Sequence, residues 1–332
     1  MREALQRAWL RRGPLAFALW PLSLLFGAAA ALRRGAYRYG LLRSERVPVP
    51  VLVVGSVLVG GSGKTPVVMS ILDHLRSRGI AAGVVSRGYG RTTSDCREVK
   101  RESDPRQVGD EPLLVKRSCE VPVFVAAGRA QAARALLKAY PATRIIVCDD
   151  GLQHYALQRD VEICVFDDRG TGNGWRLPAG PLRESWPRPV DLVLRSERAP
   201  GIDGFVVRRK LAAQARRFDG TRPALAELRG KAVVAVAGIA RPQPFFEMLR
   251  RAGLQLSQTV ALPDHSDFEG IAKLLPAPSN LVCTEKDAAK LWRHRPDAWA
   301  VPLLLEIDAA FWAALDPLLD AKLSSAHGPQ TS

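Results

Sequence analysis

The sequence predicts an α/β protein, and three observations carry this prediction. Short apolar runs alternate with helical patterns from Val51 onward, which is typical of a mostly parallel sheet covered by helices on both faces. A glycine-rich loop joins the first apolar run to the first helix, as in proteins that bind a nucleotide at the carboxyl ends of their strands. The alternation stops near residue 200 and resumes at Lys231, and 332 residues are enough for two domains with separate cores.

The first domain is expected over residues 45–200. Its strands are predicted at Val51–Val54, Ala81–Ser86, Val121–Ala126, Arg144–Val147, Val161–Phe166 and Asp191–Arg195, and its helices at Val67–Leu75, Leu113–Arg117 and Gly128–Tyr140. Residues 92–108 are expected to form a loop or an edge hairpin. The stretch Asp167–Glu184 is predicted to be a long loop, and a loop of that length inside a compact domain is usually functional.

Residues 201–230 are interpreted as an extended connector to a second, smaller α/β domain over residues 231–323. Its strands are predicted at Ala232–Ala237, Gln258–Leu262, Leu281–Thr284 and Val301–Glu306, and its helices at Pro244–Ala252, near Gly270–Leu274 and at Ala309–Leu323. The phosphate loop is not repeated in this half. The tail, 324–332, is expected to be disordered.

The glycine-rich loop predicts a binding site for a nucleoside triphosphate. Small residues let the backbone N–H groups turn towards phosphate oxygens, and the helix that follows adds its positive end. Lys64 can reach the outer phosphates, and the hydroxyl of Thr65 can hold Mg²⁺. Because the first glycine of the GxxxxGK[ST] pattern is replaced by Leu58, the loop is a variant, and a glycine turn with an incidental lysine is the alternative. The remaining loop residues are Gly60, Gly61, Ser62 and Gly63.

Two acidic positions are candidates for chemistry near the phosphates. Asp149 and Asp150 follow an apolar strand downstream of the loop, where such proteins place the carboxylate that holds Mg²⁺. A plain Asp-Gly turn is the alternative there. Asp110 and Glu111 open a helical stretch, and the local sequence alone favours a helix-capping role for them.

Residues 1–44 are expected to be a hydrophobic, basic region that associates with membranes. Residues 13–32 carry no charge and would form a helix of about 30 Å, long enough to cross a bilayer core. Residues 1–43 hold eight arginines and one acid, which favours an anchor lying in the interface against anionic headgroups. A single spanning helix, a cleaved signal peptide and a helix buried in the core are the alternatives.

The net charge of +15 predicts an acidic partner. About half of the excess flanks the apolar segment, and no nucleic-acid-binding motif is recognisable, so a membrane surface is favoured over nucleic acid. The five cysteines form no C-x-x-C pair, which indicates small buried residues in a reducing compartment and neither metal ligands nor disulfides.

The motifs together resemble one family, the tetraacyldisaccharide 4′-kinases of Gram-negative lipid A synthesis. The resemblance covers about residues 13–310, and the phosphate loop of that family also lacks the first glycine. It rests on motifs that occur in the same order, at Gly60–Pro66, Ser86–Arg91, Gly109–Pro112, Asp149–His154, Gly180–Glu184, Pro263–His265 and Thr284–Asp287.

The resemblance implies transfer of the γ-phosphoryl group of ATP to the 4′-hydroxyl of tetraacyldisaccharide 1-phosphate, with Mg²⁺, to give lipid IVA. It implies two α/β/α sandwich domains, the first a P-loop domain with a mostly parallel sheet, which are joined by extended strands and close on each other. It also implies an N-terminal hydrophobic helix that contacts the cytoplasmic face of the inner membrane. The protein is expected to be a monomer that binds no nucleic acid.

Residue roles carry over from the same resemblance. Lys64 and Thr65 would hold phosphate and Mg²⁺, with Asp149 and Asp150 near the metal. Asp110 would be the base at the sugar hydroxyl, aided by His265, which reverses the local preference for capping. His265 on its own would more often be a surface or capping histidine. Arg183 would meet the substrate or the transferring phosphate.

Two other classes of protein compete with a kinase. A membrane-attached P-loop ATPase switch would share Lys64, Thr65 and the Asp149–Asp150 pair, but it gives no reason for Asp110 with His265. A basic nucleic-acid-binding ATPase would bind DNA or RNA in a salt-sensitive way without residues 1–43.

Overall fold

The computed structural model describes residue 5 and residues 7–264, 266–268, 270 and 280–325. Within these residues, nine strands form one sheet in the order β13-β8-β7-β6-β1-β5-β2-β4-β3. They are β1 (Val51–Gly55), β2 (Ala82–Ser86), β3 (Arg97–Glu98), β4 (Val123–Val125), β5 (Ile145–Asp149), β6 (Val161–Phe166), β7 (Leu192–Ser196), β8 (Phe205–Leu211) and β13 (Leu303–Ile307).

Four further strands form a second sheet in the order β10-β9-β11-β12. They are β9 (Ala232–Ala237), β10 (Gln255–Ala261), β11 (Asn280–Thr284) and β12 (Trp299–Val301). From residue 14 onward, the described α-helices are α1 (Pro14–Arg38), α2 (Lys64–Ser77), α3 (Pro105–Val108), α4 (Asp110–Cys119), α5 (Arg129–Ala139), α6 (Gln243–Arg251), α7 (Glu285–Leu291) and α8 (Ala309–Ser325).

The first sheet has a core on each face. Alternate residues of a strand point to opposite faces, and β1 shows this directly because Leu52 and Val54 join one cluster while Val51 and Val53 join the other. The first cluster packs under α2, α4 and α8, and the second packs under α5. The predicted α/β class with a mostly parallel sheet follows, since only the edge pairs β3–β4 and β8–β13 of this sheet are antiparallel.

The parallel strands bring the expected site residues to one edge. Strand β1 lies between β5 and β6, in parallel register with both. The phosphate loop leaves the carboxyl end of β1, and Asp149 is the last residue of the neighbouring β5. The topology therefore places the loop and the acids together, as the strand-ending pattern predicts.

One strand was not predicted, and one strand prediction was wrong. Residues 205–211, expected inside an extended connector, form β8 of the first sheet, where they pair with β7 and β13. The single strand predicted at Val301–Glu306 is two strands in different sheets, because Pro302 offers no backbone N–H and interrupts the ladder between β12 and β13. Helix α8 then packs against the first sheet, and the division of the chain into domains stays a prediction.

Smaller differences concern the segments expected to be irregular. Residues 92–108 contain the two-residue edge strand β3 and the short helix α3. Ser324 and Ser325, expected in a disordered tail, close helix α8. The predicted helix near Gly270–Leu274, apart from Gly270 itself, lies outside the described residues, as does the tail beyond residue 325.

Helix α1 is the one helix among the described residues that is long and apolar enough to cross a membrane. Only 17% of its most apolar window is buried. The buried positions are the small residues Ala16, Ser23 and Gly27, whereas its large apolar side chains face outward. This distribution differs from that of a helix buried in a soluble core.

Candidate active site

The phosphate loop is shaped by two glycines in a left-handed conformation. Gly60 and Gly63 have φ of +84° and +86°, which other residues rarely adopt. Helix α2 begins at Lys64 directly after Gly63, so the positive end of the helix faces the loop. The loop is also tied to the segment before Arg183, because the Val59 N–H donates to the Pro181 carbonyl at 2.9 Å.

Thr65 and Asp149 form the candidate metal position. The Thr65 hydroxyl donates to Asp149 Oδ2 at 3.4 Å. Burial, reinforced by the charge of Glu111, raises the pKa of Asp149 to about 7. Within the described part of the chain, the buried Asp149 Oδ1 has no hydrogen-bond partner. A buried carboxylate with one open oxygen beside a hydroxyl fits a divalent cation.

Asp150 lies in an ion-pair network with Lys64 and Arg183. Arg183 Nη1 donates to both carboxylate oxygens of Asp150 at 2.8 and 2.9 Å, and Lys64 Nζ lies 3.5 Å from Oδ1. Burial alone would raise the pKa of Asp150, but the charges of Lys64 and then Arg183 outweigh it, so its pKa is lowered. Asp150 is therefore an anion that holds two cations beside the phosphate loop.

Asp110 lies at the start of α4, in contact with the helix after β11. It is buried, and Lys290 Nζ donates to its Oδ2 at 2.7 Å. A cavity of about 100 Å³ opens beside it, lined in part by Tyr89, Gly109 and His294. Gly109 fits here because a Cβ would meet the backbone of Gly88 at 3.0 Å, so the turn Ser86–Arg91 packs directly on the start of α4.

A second lysine of α7 neutralises the acids around Asp110. Lys286 Nζ lies 3.2 Å from Asp264 Oδ1 and 3.5 Å from Glu111 Oε1. Burial would lower the pKa of Lys286, but Glu111, Asp264 and Asp110 together raise it. Lys286 therefore stays charged, and it connects the helix after β11 with the start of α4.

Asp287 fixes the turn after β9. Its Oδ2 accepts the Gly238 N–H at 3.0 Å and the Thr284 hydroxyl at 2.6 Å. Burial raises its pKa to about 6. The Thr284–Asp287 motif therefore builds the local structure from which Lys286 and Lys290 reach the site.

Several residues around the acids were given no role in the sequence analysis, although Gln153 and His154 belong to the Asp149–His154 motif. Arg129 Nη2 donates to the Asp150 carbonyl at 2.9 Å, and its backbone N–H donates to His154 Nε2 at 3.1 Å. Burial, with the nearby positive charge of Arg129, lowers the pKa of His154 to about 4, so this histidine is a neutral acceptor. Gln153 accepts from Arg183 at 3.3 Å. Asp150 and Arg129 are far apart in sequence, so no local pattern announces their contact.

The expected site residues fall into two adjoining groups. Lys64, Thr65, Asp149, Asp150 and Arg183 are linked by the contacts above, whereas Asp110 belongs with Lys286 and Lys290. Glu111 connects the groups, because it pairs with Lys286 and its charge raises the pKa of Asp149. His265 lies outside the described residues.

The residues present fit Mg²⁺ in the way that nucleotide enzymes use it. Among the residues that the structure describes, no group of three or more His, Cys, Asp or Glu side chains could hold a metal by itself. A protein that supplies one hydroxyl and one or two carboxylates leaves the other ligand positions to phosphate oxygens and water. Thr65 and Asp149, with Glu111 nearby, provide such a set.

Comparison with known proteins identifies the relatives of this chain. The model of the family "Tetraacyldisaccharide-1-P 4′-kinase" matches residues 15–322. A tetraacyldisaccharide 4′-kinase of Acidovorax sp. (strain JS42) is 57% identical over 329 residues, covering 98% of this chain and 97% of that protein. Another, from Polaromonas sp. (strain JS666 / ATCC BAA-500), is 53% identical over 337 residues, covering 98% and 100%.

A solved structure has the same fold. The crystal structure of an "apo" form of LpxK from Aquifex aeolicus in complex with ATP is similar with a TM-score of 0.80 and 26% identity. The match covers 92% of this chain and 99% of that chain. The fold class predicted from the sequence is thereby confirmed.

Proposed function

The chain belongs to the tetraacyldisaccharide-1-phosphate 4′-kinase family, and we propose that its site transfers the γ-phosphoryl group of ATP to the 4′-hydroxyl of tetraacyldisaccharide 1-phosphate. The product is lipid IVA, so the reaction is a step of lipid A biosynthesis. The observation that carries this function is the meeting of the phosphate loop with Asp149 and Asp150 at one sheet edge. Phosphoryl transfer needs in-line positioning and charge neutralisation more than covalent help, and this edge supplies both.

The phosphate loop and its neighbours bind the nucleotide. The N–H groups of the loop and of the start of α2 donate hydrogen bonds to phosphate oxygens. Lys64, which pairs with Asp150 in this structure, turns to the outer phosphates when ATP binds. Thr65 and Asp149 would hold Mg²⁺, and the cation would supply neutralisation of phosphate charge during the transfer. Arg183, oriented by Asp150, is placed to contact the transferring group or the sugar.

Asp110 acts as the base. As the 4′-oxygen forms its bond to the γ-phosphorus, the bond to the β,γ-bridging oxygen breaks and ADP leaves. The hydroxyl proton passes to the Asp110 carboxylate, which His265 is proposed to assist. The cavity beside Asp110 gives a hydroxyl access, and Lys290 holds the carboxylate in place. A helix-capping role alone would not explain a buried acid that a lysine of α7 contacts.

Helix α1 brings the enzyme to its lipid substrate. Its outward apolar side chains and flanking arginines suit the interface of an anionic membrane. A nucleotide-dependent reaction places the protein at the cytoplasmic face of the inner membrane. A monomer remains the expected oligomeric state.

The test follows a labelled phosphate from ATP to lipid. With γ-labelled ATP, Mg²⁺ and purified tetraacyldisaccharide 1-phosphate, the wild type should produce labelled lipid. Lys64→Ala should lower the rate by about 100-fold or more, because the outer phosphates lose their cation. Lys210→Ala is the matched control, since Lys210 is exposed and pairs with Glu306 on the far strand β13. Labelled inorganic phosphate without labelled lipid would instead indicate the ATPase switch.

A further inference from the structure

Two arginines donate hydrogen bonds to backbone carbonyl groups of the phosphate loop. Arg169 Nη1 donates to the Val59 carbonyl at 3.1 Å, and Arg209 Nη2 donates to the Ser62 carbonyl at 3.2 Å. The two contacts flank the glycine-rich turn, one at each end. Neither arginine belongs to the sequence motif of the loop.

The geometry of the peptide bond turns these contacts into a constraint on the loop. In a trans peptide, the C=O of one residue and the N–H of the next point in opposite directions. A Val59 carbonyl that points to Arg169 therefore directs the Gly60 N–H away from Arg169. In the same way, a Ser62 carbonyl that points to Arg209 directs the Gly63 N–H away from Arg209, towards the opposite side of the turn. Inward N–H groups are what an anion-binding turn requires.

Arg169 is itself rigidly held. Asp167 is fully buried, and it accepts hydrogen bonds from Arg169 Nε at 3.0 Å and from Nη2 at 2.8 Å. Arg241, on the turn after β9, reaches the same carboxylate at 3.2 Å. The Arg169 guanidinium is therefore locked on one side, with Nη1 left to meet the loop.

Arg209 reaches the loop from strand β8. A Cβ on Gly63 would lie 2.7 Å from Arg209 Nη2, so the guanidinium packs directly against the loop backbone. Burial lowers the pKa of Arg209, while the charges of Asp167 and Asp168 oppose that shift. A partly buried cation in contact with a carbonyl group orients that group.

We propose that Arg169 and Arg209 are positioning residues that hold the phosphate loop in its anion-binding conformation, one for the Gly60 N–H and the other for the Gly63 N–H. The proposal rests on the proposed function, because it assumes that the loop binds the phosphates of ATP. It gives β8 a role in the site although none of its residues belongs to the loop. Asp167 contributes through Arg169.

A kinetic comparison separates this role from a general loss of charge. Arg209→Gln should raise KM for ATP by about 10- to 100-fold and leave KM for the lipid within about two-fold. Arg208→Gln is the matched control, because Arg208 precedes it on β8, is half exposed and pairs with Glu197. Arg209→Lys, which keeps a donor, should recover part of the ATP affinity. Melting temperatures of all variants establish that they are folded.

A spectroscopic measurement tests the assignment of Arg209 to Gly63, with Arg169→Gln as the variant that should leave the response of this amide unchanged. Ser62–Gly63 is the only Ser-Gly pair in the sequence, so protein made by cell-free synthesis with carbonyl-¹³C serine and ¹⁵N glycine gives a single linked amide signal, that of Gly63. Addition of a non-hydrolysable ATP analogue should shift this signal in the wild type and in Arg169→Gln. The shift should be lost or strongly reduced in Arg209→Gln at saturating analogue.

The outcomes distinguish this inference from the function on which it rests. A wild type that binds no ATP analogue would overturn the proposed function. If the wild type binds and Arg209→Gln keeps both its KM for ATP and the Gly63 shift, the positioning role is wrong. The same holds if Arg208→Gln and Arg209→Gln lose ATP affinity equally, because the effect would then be one of charge alone.

Discussion

A single residue, Asp149, makes metal binding depend on pH. Its carboxyl is buried with one open oxygen, and burial raises its pKa to about 7 in the metal-free protein. A cation needs the ionised form, so binding must release a proton below that pH. The ionised Asp149 that suits Mg²⁺ therefore destabilises the folded protein when no metal is bound.

The stability of the metal-free protein should fall as pH rises from about 4 to 7 because of Asp149. The unfolded carboxyl ionises near pH 4, whereas the folded one keeps its proton up to about pH 7. Each unit of difference is about 1.4 kcal/mol, so the penalty above pH 7 reaches a few kcal/mol. Asp149→Asn cannot ionise and should escape it.

Thermal unfolding at several pH values measures this difference. In chelator, Asp149→Asn should unfold at a higher temperature than the wild type at pH 8, and the two should converge near pH 4. Mg²⁺ with nucleotide should stabilise the wild type and not the variant. A wild type that equals or exceeds the variant at pH 8 without metal would show that the carboxyl is not held in a strained, buried state.

Helix α1 has two different faces, one docked on the protein and one exposed and apolar. Its small residues are docked on the long loop, since the Ser23 hydroxyl donates to the Arg176 carbonyl at 2.9 Å and accepts from the Ala179 N–H. Gly27 lies against Arg176 so closely that a Cβ would clash with the guanidinium. The opposite face exposes large apolar side chains, among them Leu25.

The two faces should respond differently to substitution. Leu25→Asp places a charge on the exposed face and should reduce binding to vesicles that contain anionic lipid, without a change in melting temperature. Ser23→Ala should remove both hydrogen bonds of the docked face, lower the melting temperature and leave vesicle binding largely intact. Co-sedimentation with vesicles and thermal unfolding measure both. Equal vesicle binding by Leu25→Asp and the wild type would contradict membrane contact through this face.

The element scale also explains which parts of the fold the sequence could predict. The strands flanked by turn signals, such as Val161–Phe166, match their predicted bounds because every residue of the strand is buried and all but Glu162 are apolar. Strand β8 carries Arg208, Arg209 and Lys210 within seven residues, so it resembled a connector. Its charged side chains are accommodated because they pair with neighbours or reach the phosphate loop.

The site was predictable where one short motif supplies the chemistry and not where distant segments meet. Thr65 and Asp149 could be named because a phosphate loop and a strand-ending acid each have a local pattern. Lys290 could not, since it is 180 residues from Asp110 and lies beyond the Thr284–Asp287 motif at the start of its helix. Arg209 was missed because it is 147 residues from Ser62, and because its partner there is a backbone carbonyl, which no sequence motif marks.

At the level of the whole molecule, the position of the proposed base, Asp110, depends on elements of both sheets. Asp110 belongs to α4, which packs on the first sheet, while Lys290 belongs to α7, which follows β11 of the second sheet. The ion pair between them crosses from one sheet to the other. The position of the carboxylate therefore depends on how the two sheets are held together.

The most direct test of the kinase account compares wild type and Asp110→Asn in transfer of γ-labelled phosphate to tetraacyldisaccharide 1-phosphate. We expect a fall in kcat of about 100-fold or more with little change in KM for ATP, since the amide cannot accept the hydroxyl proton. Asp73→Asn, an exposed acid paired only with Arg76 in the described structure, should match the wild type. A folded Asp110→Asn that labels the lipid at the wild-type rate would contradict the account and return Asp110 to a structural role.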